Sequence, residues 1–233
     1  MRIATLALMA STLMIGTAAA AQTRVGPDSK SGRYNQLRDY SFRAPGGLVP
    51  NAPNILGTAA VGAGVTIYDA RFRRVASHDL DHPMVLALAA PLRGLSPEAQ
   101  LTAAQDAVRA RVRWMHDLDN MHVADFWSNA GETLERGTGD SEDIAIATMQ
   151  VLRAAGFPAQ DLYISVGRHR VAGQHIVLIA RTDDGFRVLD DRVGHPVAAS
   201  GAGLFTPILT VGQGKSWLHG RRVRAMTEHA SAL

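Results

Sequence analysis

Gly137-Thr138-Gly139-Asp140-Ser141-Glu142-Asp143, running directly into Ile144-Ala145-Ile146-Ala147, is the stretch whose reading decides the fold. Two glycines loosen the chain, acidic residues then occupy what reads as the first turn of a helix, and apolar residues follow at helical spacing. A helix N-terminus exposes unpaired backbone N–H groups and the positive end of the helix dipole. Ser141 is therefore offered where negative charge is stabilised, the position at which a protein places a nucleophile. The helix carries Ile144, Ala147, Val151, Leu152 and Ala155 on one side. It is expected to stop at Gly156-Phe157-Pro158, where the glycine takes the left-handed conformation and the proline prevents continuation.

Beyond that stop the hydrophobic period changes to two. Leu162, Ile164 and Val166 alternate with smaller or polar partners, and His175-Ile176-Val177-Leu178-Ile179-Ala180 is a nearly continuous apolar strand. Thr182-Asp183-Asp184-Gly185 is a hairpin turn signal, and Phe186-Arg187-Val188-Leu189 is the returning strand. Leu204 to Val211 supplies a further strand, for which Pro207 argues an edge position. Upstream, Ser96-Pro97-Glu98 starts a helix that carries Leu101, Ala104, Val108 and Val112 to about Trp114. A polar loop, His116 to Asn120, precedes Phe126-Trp127, and Asn129 with Glu132 caps a short helix through about Arg136. Helices first and an antiparallel sheet afterwards is the α+β pattern, a helix bundle packed on the sheet.

The chain begins with a secretory signal. Residues 1–21 contain Arg2, an apolar run from Ile3 to Ile15, and the small-residue site Ala19-Ala20-Ala21. Residues 22–95 read as a partly irregular N-terminal extension, its stretch to about Pro53 rich in Gly, Pro, Ser and Asn, and residues 96–233 as the folded domain. Within the extension Val65 to Tyr68 is a short β-prone run, and Arg71, Arg73 and Arg74 around Phe72 read as a solvated face. His78 and His82 share metal-ligand spacing, but Pro83 favours an extended His82 and hence a polar loop.

The 233 residues include no cysteine, which excludes disulfides, thiolate metal sites and a thiol nucleophile. The formal charge of +3, with no basic stripe interleaved with aromatics, argues against a nucleic-acid binder. No segment after the signal reaches the roughly 18 to 20 apolar residues of a membrane span, so a periplasmic or secreted protein is expected.

Three positions then form a constellation: Ser141 at a helix start, His175 at the head of a strand, and Asp190 at the end of the strand paired to it. Across a hairpin the last two are neighbours, so a carboxylate orients an imidazole that faces the nucleophile position. Asp191 competes with Asp190, and strand alternation lets only one of them point at His175. Simpler roles exist for the same residues. Ser141 suits an N-cap, Asp140 and Glu142 suit a helix first turn, and Trp127 suits a core.

Phe126-Trp127-Ser128, Glu132-Thr133-Leu134, Gly137 through Ala147, Leu152-Arg153, Gly156-Phe157-Pro158, His175 through Leu178 and Val188-Leu189-Asp190 resemble the bacterial transglutaminase-like cysteine proteinases, the LapG-like periplasmic proteases. The resemblance runs from about Trp114 to Asp191, with Trp217-Leu218-His219 similar to the family's C-terminal aromatic segment. It implies a papain-like or transglutaminase-like core and a Cys-His-Asp triad mapped onto Ser141, His175 and Asp190. It further implies Ca²⁺ at Asp140 and Glu142, an adhesin-like protein or peptide substrate, and an inner-membrane receptor as partner.

The departure from the family is Ser141 itself. A thiol at such a site readily becomes thiolate, whereas an alcohol must lose its proton during attack. Two functions are therefore expected from the sequence: a peptidase scaffold with weak or absent proteolysis, or a pseudoprotease that binds a peptide or protein.

Overall fold

The computed structural model describes residues 52–77, 79–200, 203–212 and 214–221. The expected signal segment, residues 1–21, and almost all of the lead-in lie outside them. Strands β1 (Thr58–Gly62), β2 (Arg113–Trp114), β3 (Thr138–Gly139), β4 (Leu162–His169), β5 (Gly173–Thr182), β6 (Gly185–Leu189), β7 (Val197–Ala198), β8 (Phe205–Gly212) and β9 (Lys215–Arg221) accompany six α-helices. The helices are α1 (Ile67–Ala76), α2 (Pro83–Ala89), α3 (Pro97–Arg111), α4 (Asp117–Met121), α5 (Ala130–Arg136) and α6 (Ser141–Ala154). Seven strands form one antiparallel sheet in the order β1-β9-β8-β4-β5-β6-β7, while β2 and β3 make a short parallel pair. This is the expected α+β architecture.

Helix α6 is the centre of the helical layer. Every residue from Ser141 to Leu152 is buried, because α2, α3 and α5 pack around it and β5 lies beneath it. A helix buried all round needs apolar or internally bonded residues on every face, which is why Thr148 returns its hydroxyl to Ile144 O and Gln150 donates to Val75 O. Gly156 ends the helix at a φ of 100°, as the Gly-Phe-Pro signal implies.

The sheet is covered on both faces. Ile176 and Leu178 of β5 line a cavity with Ile144 and Ala145 of α6, while Val177 and Ile179 join Tyr163, Trp217, Ile55 and Ala60 in a second core. That double coverage explains the unbroken apolar run of β5. It also gives residues 52–62 a structural job: Ile55 is fully buried, and β1 pairs with β9 along the outer edge of the sheet. His219 fastens this edge. Its Nδ1 lies 2.7 Å from Thr58 Oγ1 and its Nε2 lies 2.8 Å from Thr210 Oγ1, and burial pushes its pKa down to about 4.

Three sequence expectations are corrected here. Pro207 lies in a central strand, between β4 and β9, because it falls at the register shift after Val166 where a missing N–H leaves no gap in the ladder. Residues from Ile67 are helical rather than extended, since Thr66 and Asp69 form a capping box that outweighs a short β-prone run. The polar loop at His116 contains α4, closed by His122 in the left-handed conformation. The expected helix at Asn129 is present with both capping-box bonds, Asn129 Oδ1 accepting from Glu132 N and Glu132 Oε2 from Asn129 N.

Candidate active site

The turn leading into α6 is held from below by a buried carboxylate. Asp143 Oδ1 accepts from Ser128 N at 2.8 Å, and its Oδ2 accepts from Arg136 Nη2 at 3.0 Å and Ser128 Oγ at 3.3 Å. Burial pushes Asp143 up to about 7 in spite of those donors. Gly139 has no substitute at this point. A Cβ there would stand 2.7 Å from Asp143 Cβ and 2.9 Å from Asp143 Oδ2, so any side chain would displace the carboxylate that fixes the turn. Asp140 is the N-cap residue and Ser141 the first helical residue, which excludes the simple N-cap role for the serine.

Ser141, 9% exposed, donates its hydroxyl to Glu142 Oε2 at 3.2 Å. It lines one small cavity together with Asp190, Asp191 and Gln105. His175 Nε2 lies 2.8 Å from Asp190 Oδ1, both groups being buried. The imidazole is lodged between His169 and Phe205, with ring centroids 5.6 and 6.2 Å away. Gly167, the cross-strand partner of His175, makes this packing possible, since a Cβ would meet the Phe205 ring at 2.5 Å. His169 Nδ1 accepts from Val171 N and Ala172 N, and burial with the neighbouring His175 lowers its pKa, so it stands as a neutral ring against the other.

The structure thus joins His175 to Asp190 directly and brings Ser141 to the same cavity wall as Asp190; the Ser141 hydroxyl bonds Glu142 rather than His175. Burial opposes ionisation of Asp190, yet the contact with His175 and the Arg192 amide holds its pKa below the usual value. Asp191 behaves in the opposite sense, with burial and then the adjacent Asp190 charge raising it. The expectation that only one of these residues points at His175 is overturned. Asp191 Oδ1 lies 3.4 Å from His175 Nε2, because β6 ends at Leu189 and the chain turns through Val193 N to Asp190 O, so strand alternation no longer applies.

On the other side of Ser141 the two predicted acids gain a third. Asp117, Asp140 and Glu142 present carboxyl oxygens that all lie within 4.8 Å of one another. Asp140 Oδ1 is buried with no hydrogen-bond partner, and burial first, then the Glu142 charge on Asp140 and the Asp125 and Asp143 charges on Glu142, hold both above the usual carboxylate range. A cluster of hard oxygens with an unsatisfied member fits a divalent cation of the calcium type. Asp117 escaped the sequence reading because it lies 23 or more positions upstream in an unremarkable polar segment.

Gln105 also escaped it. From the buried side of α3 its Nε2 donates to Asp190 O at 3.0 Å and to Val193 O at 2.5 Å, clamping the turn that carries both aspartates. The available signal was a glutamine amid Leu101, Ala104 and Val108 on an apolar face. Arg71 and Arg74, read as a solvated face, bind the segment before α5 instead. Arg71 pairs with Asp125 at 2.7 Å, and Arg74 bonds Trp127 O while lying over the Phe126 ring. Trp127 itself is core, 1% exposed.

A helical layer whose buried helix begins at Ser141, packed on an antiparallel sheet that carries a buried His-Asp pair, is the architecture expected of a papain-like or transglutaminase-like fold. Residues 94–199 match the family described as bacterial transglutaminase-like cysteine proteinase. Three solved structures of LapG from Legionella pneumophila are similar in fold. The calcium-bound form has a TM-score of 0.53 at 21% identity over 68% of this chain and 91% of that one. A second form gives 0.52 over 67% and 90%, and an EGTA-treated form gives 0.52 over 67% and 87%, both at 21% identity. No match is found among curated protein sequences.

Proposed function

We propose that this chain is an exported peptidase-family protein in which Ser141 holds the nucleophile position of a Ser141-His175-Asp190 triad, with weak or absent proteolysis. The observation that carries the reading is the shared cavity wall of Ser141 and Asp190, the latter bonded to His175 at 2.8 Å. In the reaction such a site supports, His175 takes the Ser141 proton as Oγ attacks a peptide carbonyl carbon. The first-turn amides of α6 stabilise the oxyanion, and Asp190 orients the imidazole and stabilises its cation. The leaving amine collects the proton, and water then hydrolyses the ester. Trp114, paired with Gly139 and 43% exposed, stands where a substrate chain would pass. The substrate class is a protein or peptide, adhesin-like by the family resemblance. The periplasm is the proposed compartment and an inner-membrane receptor the proposed partner.

A fluorophosphonate probe tests the triad. Covalent labelling of Ser141, lost in His175→Ala, is the expected result, whereas a chain that neither labels nor cleaves peptides has no working nucleophile. A second reading has its own support. Because the Ser141 hydroxyl bonds Glu142 and an alcohol is a poor substitute for a thiolate, the chain also fits a pseudoprotease that retains a peptide-binding surface.

Asp117, Asp140 and Glu142 would hold Ca²⁺, which would supply the positive charge that lets these acids ionise beside Ser141. Calorimetry is expected to show one bound ion, with proton release and an affinity that rises with pH, since carboxyls held above their usual range must deprotonate to ligate it. Asp140→Ala and Asp117→Asn should each weaken binding by about tenfold or more. Equal heats in wild type and variants would reject the site.

A further inference from the structure

We infer that His175, Asp190 and Asp191 form a second metal site, selective for a zinc-class transition-metal dication and separate from the carboxylate cluster beside Ser141. The donor atoms converge before any ion is added. His175 Nε2 lies 2.8 Å from Asp190 Oδ1 and 3.4 Å from Asp191 Oδ1, and all three atoms lie within 4.8 Å of one another. Four-coordinate zinc with bonds near 2.0–2.1 Å separates its ligand atoms by about 3.4 Å, so the set needs only a small expansion. One imidazole nitrogen and two carboxylate oxygens suit that class of metal, whereas the all-oxygen cluster at Asp117 suits calcium.

An independent observation points to a ligand. Asp191, its side chain only 8% exposed, has a sealed Oδ1 with no hydrogen-bond partner, and that oxygen is the one turned toward the imidazole. A His-Asp pair that served only to orient an imidazole would need one carboxylate. Asp190 Oδ1 is fixed by the Arg192 amide at 2.9 Å, and Gln105 clamps the Asp190 carbonyl, so the turn is held as metal ligands are usually held. Both aspartates line the cavity of about 10 Å³ that Ser141 borders, which has room for one oxygen ligand in the fourth position. Gln105 Oε1, also buried without a partner, lines the same cavity and would accept a hydrogen bond from that ligand.

The site and the proposed triad exclude each other. A metal on Nε2 moves the neutral ring's proton to Nδ1, leaving no lone pair to receive a proton from Ser141. Zinc therefore switches off any hydrolysis, and in a chain without hydrolysis the metal site remains. The inference does not depend on whether Ser141 is catalytic.

Co²⁺ and Zn²⁺ titrations of the whole chain, with Ca²⁺ saturating, test it. One Co²⁺ per chain is expected, with the intense visible absorption of four-coordinate cobalt and displacement by Zn²⁺. Asp191→Asn should weaken binding by about tenfold or more, and Asp117→Asn should leave it unchanged. No bound Co²⁺, an unchanged affinity in Asp191→Asn, or loss in Asp117→Asn each overturns the assignment. Should Asp191→Asn not fold, nitrogen NMR of wild type decides: Zn²⁺ must shift His175 Nε2, and an unshifted ring refutes the site.

Discussion

Ser141→Cys is expected to raise peptide-bond hydrolysis by on the order of 10²-fold or more over a chain that hydrolyses little or nothing. The change is a single atom, and the reason for its size is proton chemistry. A thiol with an ordinary pKa near 8.5 is driven toward thiolate at a helix N-terminus beside an imidazole, so the nucleophile is charged before the substrate arrives. The alcohol must instead surrender its proton in the transition state, and in this structure its hydroxyl bonds Glu142. Around it stand the buried helix start, the His175-Asp190 bond, and the Gln105 clamp on the aspartate turn. Cleavage of casein-like or unfolded protein substrates in the presence of Ca²⁺ is the readout. A silent variant with an unchanged fold would favour a surface repurposed for binding.

Asp143→Ala should cost about 3 kcal/mol of stability, seen as a fall in Tm of roughly 6–12 °C. The alanine leaves the buried Ser128 amide without its acceptor and removes the carboxylate from Arg136, which keeps Ser128 Oγ and Thr138 O as acceptors and, with its side chain 23% exposed, recovers only part of the loss in water. Asp143→Asn should cost much less. An amide keeps an acceptor for Ser128 N, and burial already holds the native carboxyl's proton to about pH 7, so its charge contributes little near neutrality. The sign follows from linkage: a carboxyl raised above its unfolded value favours the folded state at low pH, and that advantage is lost as pH climbs through about 7. Thermal unfolding of both variants between pH 5 and 8 measures this. An alanine variant as stable as the asparagine one would show that the network does not hold the turn.

What the sequence discloses and what it hides divide along physical lines. Helix α6, the Asn129 capping box, and the β5–β6 hairpin closed by Asp183 and Asp184 were legible because each is a local device, a cap, a period or a turn, that acts within a few residues. The meeting of His175 with Asp190 follows from that hairpin. Asp117 was not legible, since its approach to Asp140 depends on how α4 packs beside the turn. Pro207 misled because a bulge is a property of two strands and one strand's sequence cannot announce it. The convergence of Asp190 and Asp191 was hidden for a related reason: alternation holds only while a strand lasts, and β6 stops one residue too early. Of residues 22–95, read as a partly irregular extension, the described part from 52 onward supplies an edge strand and two helices of the same layered body, a role visible only once β9 is in place to receive β1.

Residue 141, proposed as the nucleophile position served by His175, can be tested on one atom because the sequence has no cysteine. In Ser141→Cys the introduced thiol is the sole thiol of the chain, so its alkylation by iodoacetamide at pH 6 reports that position alone. Alkylation faster than that of free cysteine is expected, reduced to the ordinary rate when His175→Ala is added. A thiol that reacts no faster than free cysteine, and equally with or without His175, would contradict it.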